Sequence, residues 1–557
     1  MIDGRTVYTP LLAGTYWEVQ DTLLEDIDRI EVIRGPGGTI WGPNAVNGVI
    51  NIITKSTRET KGTYASAGGG NVDQGFLNFR YGGGGDNLTW RAYGKAFTRG
   101  PEYHADGDNF DDWRGVQGGF RMDWGRGRDS FTLQGDIYTQ EDGEQVAYSN
   151  YVPPVQENVD GYAYASGENI NFRWKRTFSE GNDLQIQGYW DRTARHEPNI
   201  GEIRDSGDVD VLARTRLGRH ELSYGIEARV SPNHFLETGS GLVFFPRRRT
   251  DYLLTTFLED DIDLIPKKLN LIAGSKVLRT NYTGYDFEPS VRLMWTPNDK
   301  HAVWAAFTHA LRTPSDAEED FYLSSYLGTG GNGLPFFARF NVNPVFATEQ
   351  LNAYESGYRQ FLRKNLFLDL TLFYNRYHNL FSEDAFLPPV IENGLPFPEP
   401  VPPGPHNLII AQWRNDLFGS TKGAEIAPEW RPSERMRFRG SWSFLDMNLN
   451  AIPGTLLFLT PAMVDKSSPR HEVTVESSFD ISKKLALDFT YRYVSAAPQV
   501  LAAAYSTGDA RIAWQFSRHV AFSLVGRNLF QPWHVEYVGD PEPVGVIRSG
   551  YASLEWR

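Results

Sequence analysis

Leu485-Ala486-Leu487-Asp488-Phe489-Thr490-Tyr491-Arg492-Tyr493 sets Leu485, Leu487, Phe489, Tyr491 and Tyr493 on one side of an extended chain and Asp488, Thr490 and Arg492 on the other. Side chains of a strand alternate across its sheet, so one face of this strand is apolar and the other wet. The same alternation recurs outward in both directions. Leu366, Leu368, Leu370, Leu372 and Tyr374 oppose Asp369, Thr371 and Asn375. Met436, Phe438, Gly440, Trp442 and Phe444 oppose Arg435, Arg437, Arg439, Ser441 and Ser443. Ala552, Leu554 and Trp556 oppose Ser553 and Glu555, and stretches around Leu88, Leu133 and Leu184 repeat the pattern. The runs approach the roughly 9–11 residues of a tilted membrane-spanning strand and exceed the roughly 5–6 of a soluble one. Their wet faces carry ionisable groups in mid-strand, which a polar lumen accepts and a packed sandwich core does not. The pattern therefore favours a transmembrane β-barrel over a soluble sheet or propeller.

Composition narrows the reading. Aromatic residues make up 14% of the 557, as suits side chains that sit where an apolar band meets water. No stretch is apolar for long enough to cross a bilayer as a helix, which leaves the closed barrel as the spanning solution. Without cysteine, thiolate catalysis and thiolate-bound metal are excluded. A formal charge of −14 argues against a general nucleic-acid binder.

Connections alternate in length. Pro297–Lys300, Arg431–Glu434 and Asp480–Lys484 read as tight turns. The segments 141–168, 231–248, 313–349, 382–408 and 447–470 read as long and irregular, and the Pro-rich 382–408 is expected to stay out of the sheet. Short turns at one end and long loops at the other characterise outer-membrane barrels. Residues 1–60 differ and read as a small mixed unit. Leu23–Ile33 begins as a short amphipathic helix and runs into a strand, Gly35-Pro36-Gly37-Gly38 turns, and Val46–Thr54 is a second strand.

These N-terminal residues carry a family resemblance. Ile2-Asp3-Gly4-Arg5-Thr6-Val7-Tyr8, Asp26–Thr39 and Trp41–Lys55 resemble the second half of the plug domain of TonB-dependent outer-membrane receptors. Ala310–Ser315, Leu351–Tyr358, Gly526–Phe530 and Ser549–Arg557 resemble barrel motifs of the same family. The resemblance implies an all-β fold, a 22-stranded antiparallel transmembrane barrel over 61–557, with a partial mixed α/β plug over 1–60. It departs at both ends: the plug pattern starts mid-way at Ile2, and the last residue is Arg557 where the family commonly ends in an aromatic. The expectation is that a secretory signal, the energy-coupling box and the first plug half are encoded upstream of Met1.

The candidate residues follow. The resemblance makes Glu31, Arg34 and Gly35 plug–barrel interface residues. Gly37, Gly38, Gly42, Asn44, Asn47 and Gly48 are read as structural turn residues of the plug. A phosphate-binding loop is excluded because no Lys-Ser/Thr follows the glycines. Tyr322, Tyr326, Phe336 and Phe337 are candidates to pack on a planar ligand, and His104, His196, His234 and His406 are candidates to reach it from external loops, although scattered surface histidines are the simpler account. Asp316, Glu318, Glu319 and Asp320 read as a solvated acidic loop. No catalytic, metal or cofactor motif appears, so the chain is read as no enzyme. Expected is TonB-dependent uptake of a scarce ligand, a ferric siderophore or related chelate first, with haem or cobalamin as alternatives. An ungated porin-like channel (if Met1 is the true start) and a surface adhesin or colicin/phage receptor also stay open. The implied partners are the TonB-ExbB-ExbD complex, the barrel assembly machinery, outer-membrane lipid and a small-molecule ligand, for a monomer in the outer membrane.

Overall fold

The computed structural model describes residues 1–557 apart from 152, 237, 239–241, 342–345, 394–403 and 539–542. Twenty-two antiparallel strands close into one barrel, from Gly62–Gly70 to Ser549–Trp556. The last strand hydrogen-bonds the first in register, Leu554 opposite Ala67 and Ser553 opposite Gly68, so the ring has no free edge. The outward phase of the strands is apolar and uncovered: Leu77, Ile137, Ile226, Leu254, Leu372 and Leu554 are each more than half exposed. The inward phase is polar, and Arg91, Arg121, Lys276 and Glu288 are buried beneath the plug. Aromatic pairs such as Trp124–Phe131 and Trp430–Phe438 stack close to the tight turns, as a girdle at that membrane boundary.

The tight turns at 297–300, 431–434 and 480–484 all lie at one end of the ring. The opposite end differs from the sequence expectation. Much of 141–168 is not irregular: Asp129–Tyr151 and Pro154–Ser179 form a tall hairpin paired continuously to its tip. Leu366–Asn393 and Pro405–Ser433 form a second tall hairpin, so the described part of 382–408 is sheet. Pro388 and Pro389 fall in a register shift between Phe386 and Val390, where a missing donor costs no ladder bond. Prolines 396, 398, 400, 402 and 403 lie outside the described residues.

The N-terminal unit sits inside the ring. Its strands β1 (Ile27–Arg34) and β2 (Gly48–Thr54) pair antiparallel, with the single-turn helix α1 (Gly38–Trp41) between them. The expected amphipathic helix before β1 is only one tight turn, Leu24–Asp26. It ends there because Asp26 is drawn into the barrel wall.

Candidate functional site

Plug and wall meet through polar groups. Asp26, 2% exposed, forms ion pairs with Arg80 and, at 3.1 Å, with Arg91. The Asp3 carboxylate accepts from the Thr54 amide (2.9 Å), the Thr54 hydroxyl (2.7 Å) and Gln134 Nε2 (3.0 Å). Arg5 reaches Asp191 at 2.5 Å. Thr39 donates to the Glu288 carbonyl at 3.0 Å, and Lys276 Nζ donates to the Ile40 carbonyl at 3.1 Å.

The glycines make this approach possible. Gly35 has φ +72°, and a Cβ there would run into the Glu355 carboxylate. A Cβ on Gly38 would lie 2.6 Å from Glu288 Oε1. Gly37 faces Trp41, Gly42 faces Lys276, and Gly48 faces the Ile33 carbonyl across β1 and β2. Asn44 donates its backbone N–H to the Leu311 carbonyl (2.8 Å) and accepts at Oδ1 from the Thr313 backbone N–H (3.0 Å), whereas Asn47 is exposed. Arg34 pairs with Glu425 of the wall; Glu31 instead pairs with Arg29 (2.7 Å) and Asn51 (2.9 Å) inside the plug.

The plug apex is the turn Thr9–Gly14, closed by a 2.8 Å bond from the Thr9 amide to the Gly14 carbonyl. Above it lies α2 (Asp316–Asp320), with a capping box between Ser315 and Glu318. The amides of Asp316 and Ala317 donate to the carbonyls of Pro10 and Leu11, at 2.9 and 3.0 Å. Arg204 bonds Thr9 Oγ1 and, at 3.0 Å, Glu202; Asn233 then bridges Glu202 to Asp316. Leu11 is fully buried against Phe235, Phe244 and Ala317. The acidic run is therefore no solvated loop. Asp316, Glu318 and Asp320 are buried, with Arg249 on Asp320 (2.5 Å) and Arg312 on Glu318 (2.6 Å). Burial pushes Glu319 up to about 7 and Asp320 up to about 6, with Arg249 pulling both the other way.

From α2 the chain continues as a hairpin, Phe321–Thr329 and Pro335–Asn341, that crosses the mouth between the two tall hairpins. This hairpin brings several sequence candidates together. Phe337 is fully buried, with the rings of Tyr326 (5.3 Å), His406 (5.5 Å) and Tyr151 (5.7 Å) around it. Tyr322 and Phe336 lie on the same hairpin, half-buried. The other histidines are elsewhere. His104 is buried against Phe110 and Asp111 in a small sheet with Pro543–Ile547, His196 ends one wall strand, and His234 lies two residues before the end of another. His104 and His406 are therefore packed rather than surface groups. The sequence reading did not single out Tyr151 or the Arg204–Glu202–Asn233 chain, because their partners are remote in sequence.

A cavity of about 120 Å³ lies behind the apex, between the plug and one side of the wall. Arg5, Arg204 and Arg229 line it together with Tyr8, Tyr16 and Tyr189. Guanidinium groups and tyrosine rings thus share its lining.

Residues 1–49 match the family model described as "TonB-dependent Receptor Plug Domain", and residues 51–529 match "TonB dependent receptor-like, beta-barrel". Among curated relatives, the ferric enterobactin receptor of Pseudomonas aeruginosa is 22% identical over 502 residues, 78% of this chain and 65% of that protein. The iron-regulated outer membrane virulence protein of Vibrio cholerae is 24% identical over 311 residues, 52% and 45%. The vitamin B12 transporter BtuB of Vibrio vulnificus is 47% identical over 53 residues, 10% and 9%. The chain thus spans less than two thirds of the length of each of these relatives. The crystal structure of the siderophore receptor PirA from Acinetobacter baumannii superposes with a TM-score of 0.78 at 15% identity, covering 100% of this chain and 90% of that one. The apolar belt is accordingly the face of a multi-pass barrel in the outer membrane. Both parts of the architecture are matched across most of the sequence, and the chain belongs to the TonB-dependent receptor family.

Proposed function

We propose that the protein takes up a scarce ligand across the outer membrane by moving its plug, with energy supplied by the TonB-ExbB-ExbD complex. The carrying observation is the nature of the plug–wall contact: ion pairs and hydrogen bonds such as Asp26–Arg80 and Asp3–Gln134 around a lumen, with little shared apolar core. Polar contacts of this kind hold a defined position and can be re-solvated when the plug shifts. The ligand we favour is a ferric siderophore or related metal chelate, as the printed names of the longer-matching relatives suggest. A corrinoid is the second reading, because a stretch of 53 residues is 47% identical to a vitamin B12 transporter. We place first contact with the ligand at the mouth hairpin, at Tyr322, Tyr326 and Phe336, with Phe337 and His406 packed behind them, and keep Arg34 and Gly35 as plug-interface residues, whereas Glu31 braces the plug internally. His104, His196 and His234 remain ligand candidates of lower rank by position. The barrel assembly machinery would insert the chain, as a monomer.

The test is uptake of labelled ferric chelates and of cyanocobalamin by cells that depend on this protein. Uptake of one chelate, lost when the proton gradient is collapsed although surface binding persists, is the expected result. Uptake that survives the collapse would mean passive flow, and cyanocobalamin uptake alone would select the corrinoid.

A further inference from the structure

Three successive tight turns at the periplasmic end gather cations that the protein itself does not neutralise. They join Arg248–Ile265 to Leu269–Thr280, Gly284–Asn298 to His301–Arg312, and Glu349–Arg363 to Leu366–Asn393. Lys267 and Lys268 lie on the first, Lys300 on the second, Arg363 and Lys364 on the third, and all are exposed. Asp299 is the one acid on these turns. Among the described residues none of the five cations has an ion-pair partner, whereas Arg431, further round the ring, lies 2.6 Å from Glu429. Backbone bonds fix the spacing of the turns: Thr296 N–H donates to the Lys268 carbonyl (2.7 Å) and Phe361 N–H to the Lys300 carbonyl (3.0 Å). Between them runs a groove of about 550 Å³, lined by Lys267, Lys268 and Lys300 and by the rings of Phe361 and Phe367. Lys267 has φ +62°, a conformation that the tight turns at Gly127, Gly181 and Gly218 give to glycine. A lysine kept where glycine is easier points to a use for its side chain.

We infer that this sector of the rim binds an anionic phospholipid of the periplasmic leaflet by its phosphate. The apolar belt sets the height of the cations. Leu264 continues the outward phase of Leu254 and Leu258, Trp295 that of Val291 and Leu293, and Leu362 that of Tyr354, and each of the three is at least 41% exposed. The belt therefore runs up to the turns, and the cations stand directly beyond it, at the level of the lipid headgroups. Their aliphatic stems can lie along the belt while the charged heads reach a phosphate. The cluster runs against the balance of the whole chain, whose formal charge is −14. At the external end, residues 100–112 carry Glu102, Asp106, Asp108, Asp111 and Asp112 and no Lys or Arg. A cation close to an anionic lipid surface strengthens binding about fivefold, so several on one groove select an anionic headgroup over a zwitterionic one. Lipid binding here is independent of which ligand the barrel carries.

The test is lipid binding by the full chain in a neutral detergent, titrated with phosphatidylglycerol or with phosphatidylethanolamine of the same acyl chains and read by native mass spectrometry. The unaltered protein should prefer phosphatidylglycerol by about tenfold or more. Lys267→Gln/Lys268→Gln should lower that affinity by about 25-fold. Lys466→Gln/Arg470→Gln, an equal change of charge in a connection at the external end, should lower it by less than about twofold. Lys267→Gly suits the backbone better than lysine, so its heat-modifiable band should survive to at least the unaltered protein's temperature while binding still falls about fivefold. That variant separates a lost contact from a weakened barrel. Equal affinity for the two lipids in the unaltered protein, or equal losses in the two double variants, overturns the site. Displacement of phosphatidylglycerol by an excess of inorganic phosphate would make this a site for free anions. Full lipid binding by Lys267→Gln/Lys268→Gln, with energised uptake lost, would make it a rim for a protein partner. Either result overturns the lipid assignment.

Discussion

Asp26→Ala should release the plug from the wall while the barrel stays folded. The Asp26 carboxylate is 3% exposed and lies between Arg80 and Arg91, themselves 11% and 5% exposed at the side chain. Removing Asp26 leaves Arg80 charged, out of water and without its anion, while Arg91 keeps only its bonds to the Lys55 carbonyl (2.6 Å) and Thr54 Oγ1 (3.0 Å), at a cost of about 3–5 kcal/mol. That is a large part of what can hold a small polar unit in place. The variant plug should be cut by protease, or exchange its β1 and β2 amides, at denaturant concentrations where the wild-type plug is protected. The barrel is closed by its own ladder from Gly62–Gly70 to Ser549–Trp556 and should keep its heat-modifiable mobility. Arg34→Ala is the contrast. Its pair with Glu425 is 59% exposed on the Arg34 side, so its loss should cost less than about 1 kcal/mol. Equal protection of the Asp26→Ala and wild-type plugs would show that the buried triad is not an anchor.

Leu11→Ala is the second large effect, at the other end of the plug. Leu11 has no exposed surface and fills the space between Phe235, Phe244 and Ala317. Truncating a fully buried leucine costs about 2–5 kcal/mol, the higher values where the cavity cannot collapse. Collapse is hindered here because Phe235 and Phe244 are stacked at 4.1 Å and fixed on the wall side. The expected signature is local. The amides of Asp316 and Ala317, which donate to Pro10 and Leu11, should exchange faster, while those of β1 and β2 are unchanged. Leu12→Ala, at a residue 55% exposed, should stay within about 0.5 kcal/mol of wild type. Similar exchange at Asp316 and Ala317 in both variants would remove Leu11 from the apex clamp.

The barrel was legible where burial alternates. Leu485–Tyr493 and Met436–Phe444 face lipid on one side and a wet lumen on the other, and that contrast is what a period of two records. Above the membrane both faces of a strand are wet. The tall parts of Asp129–Tyr151 and Pro154–Ser179 therefore carry no apolar alternation, and 141–168 looked irregular though it is fully paired. Proline misled in the same way at 388 and 389, where a bulge absorbs it. The plug's glycines were legible as turn residues, but what they face was not, because Glu288 and Glu355 come from strands more than two hundred residues away. Three acids of α2 read as solvated for the same reason: Arg249, which faces Asp316, Glu319 and Asp320, is remote in sequence. Histidines were the least informative signal, since an imidazole packed against Phe110 and one packed against Phe337 look alike in a string of letters.

Everything above requires a closed membrane ring with the N-terminal unit seated in its lumen. The most direct measurement is electrophoretic mobility of the protein extracted from outer membranes in detergent, with and without boiling. A closed ring resists unfolding by the gel detergent, so the unboiled chain should run as a compact, faster band that boiling converts to the full 557-residue mobility. A single band at the unfolded position in both lanes, or recovery of the chain from the soluble fraction without detergent, would contradict the barrel and with it the site.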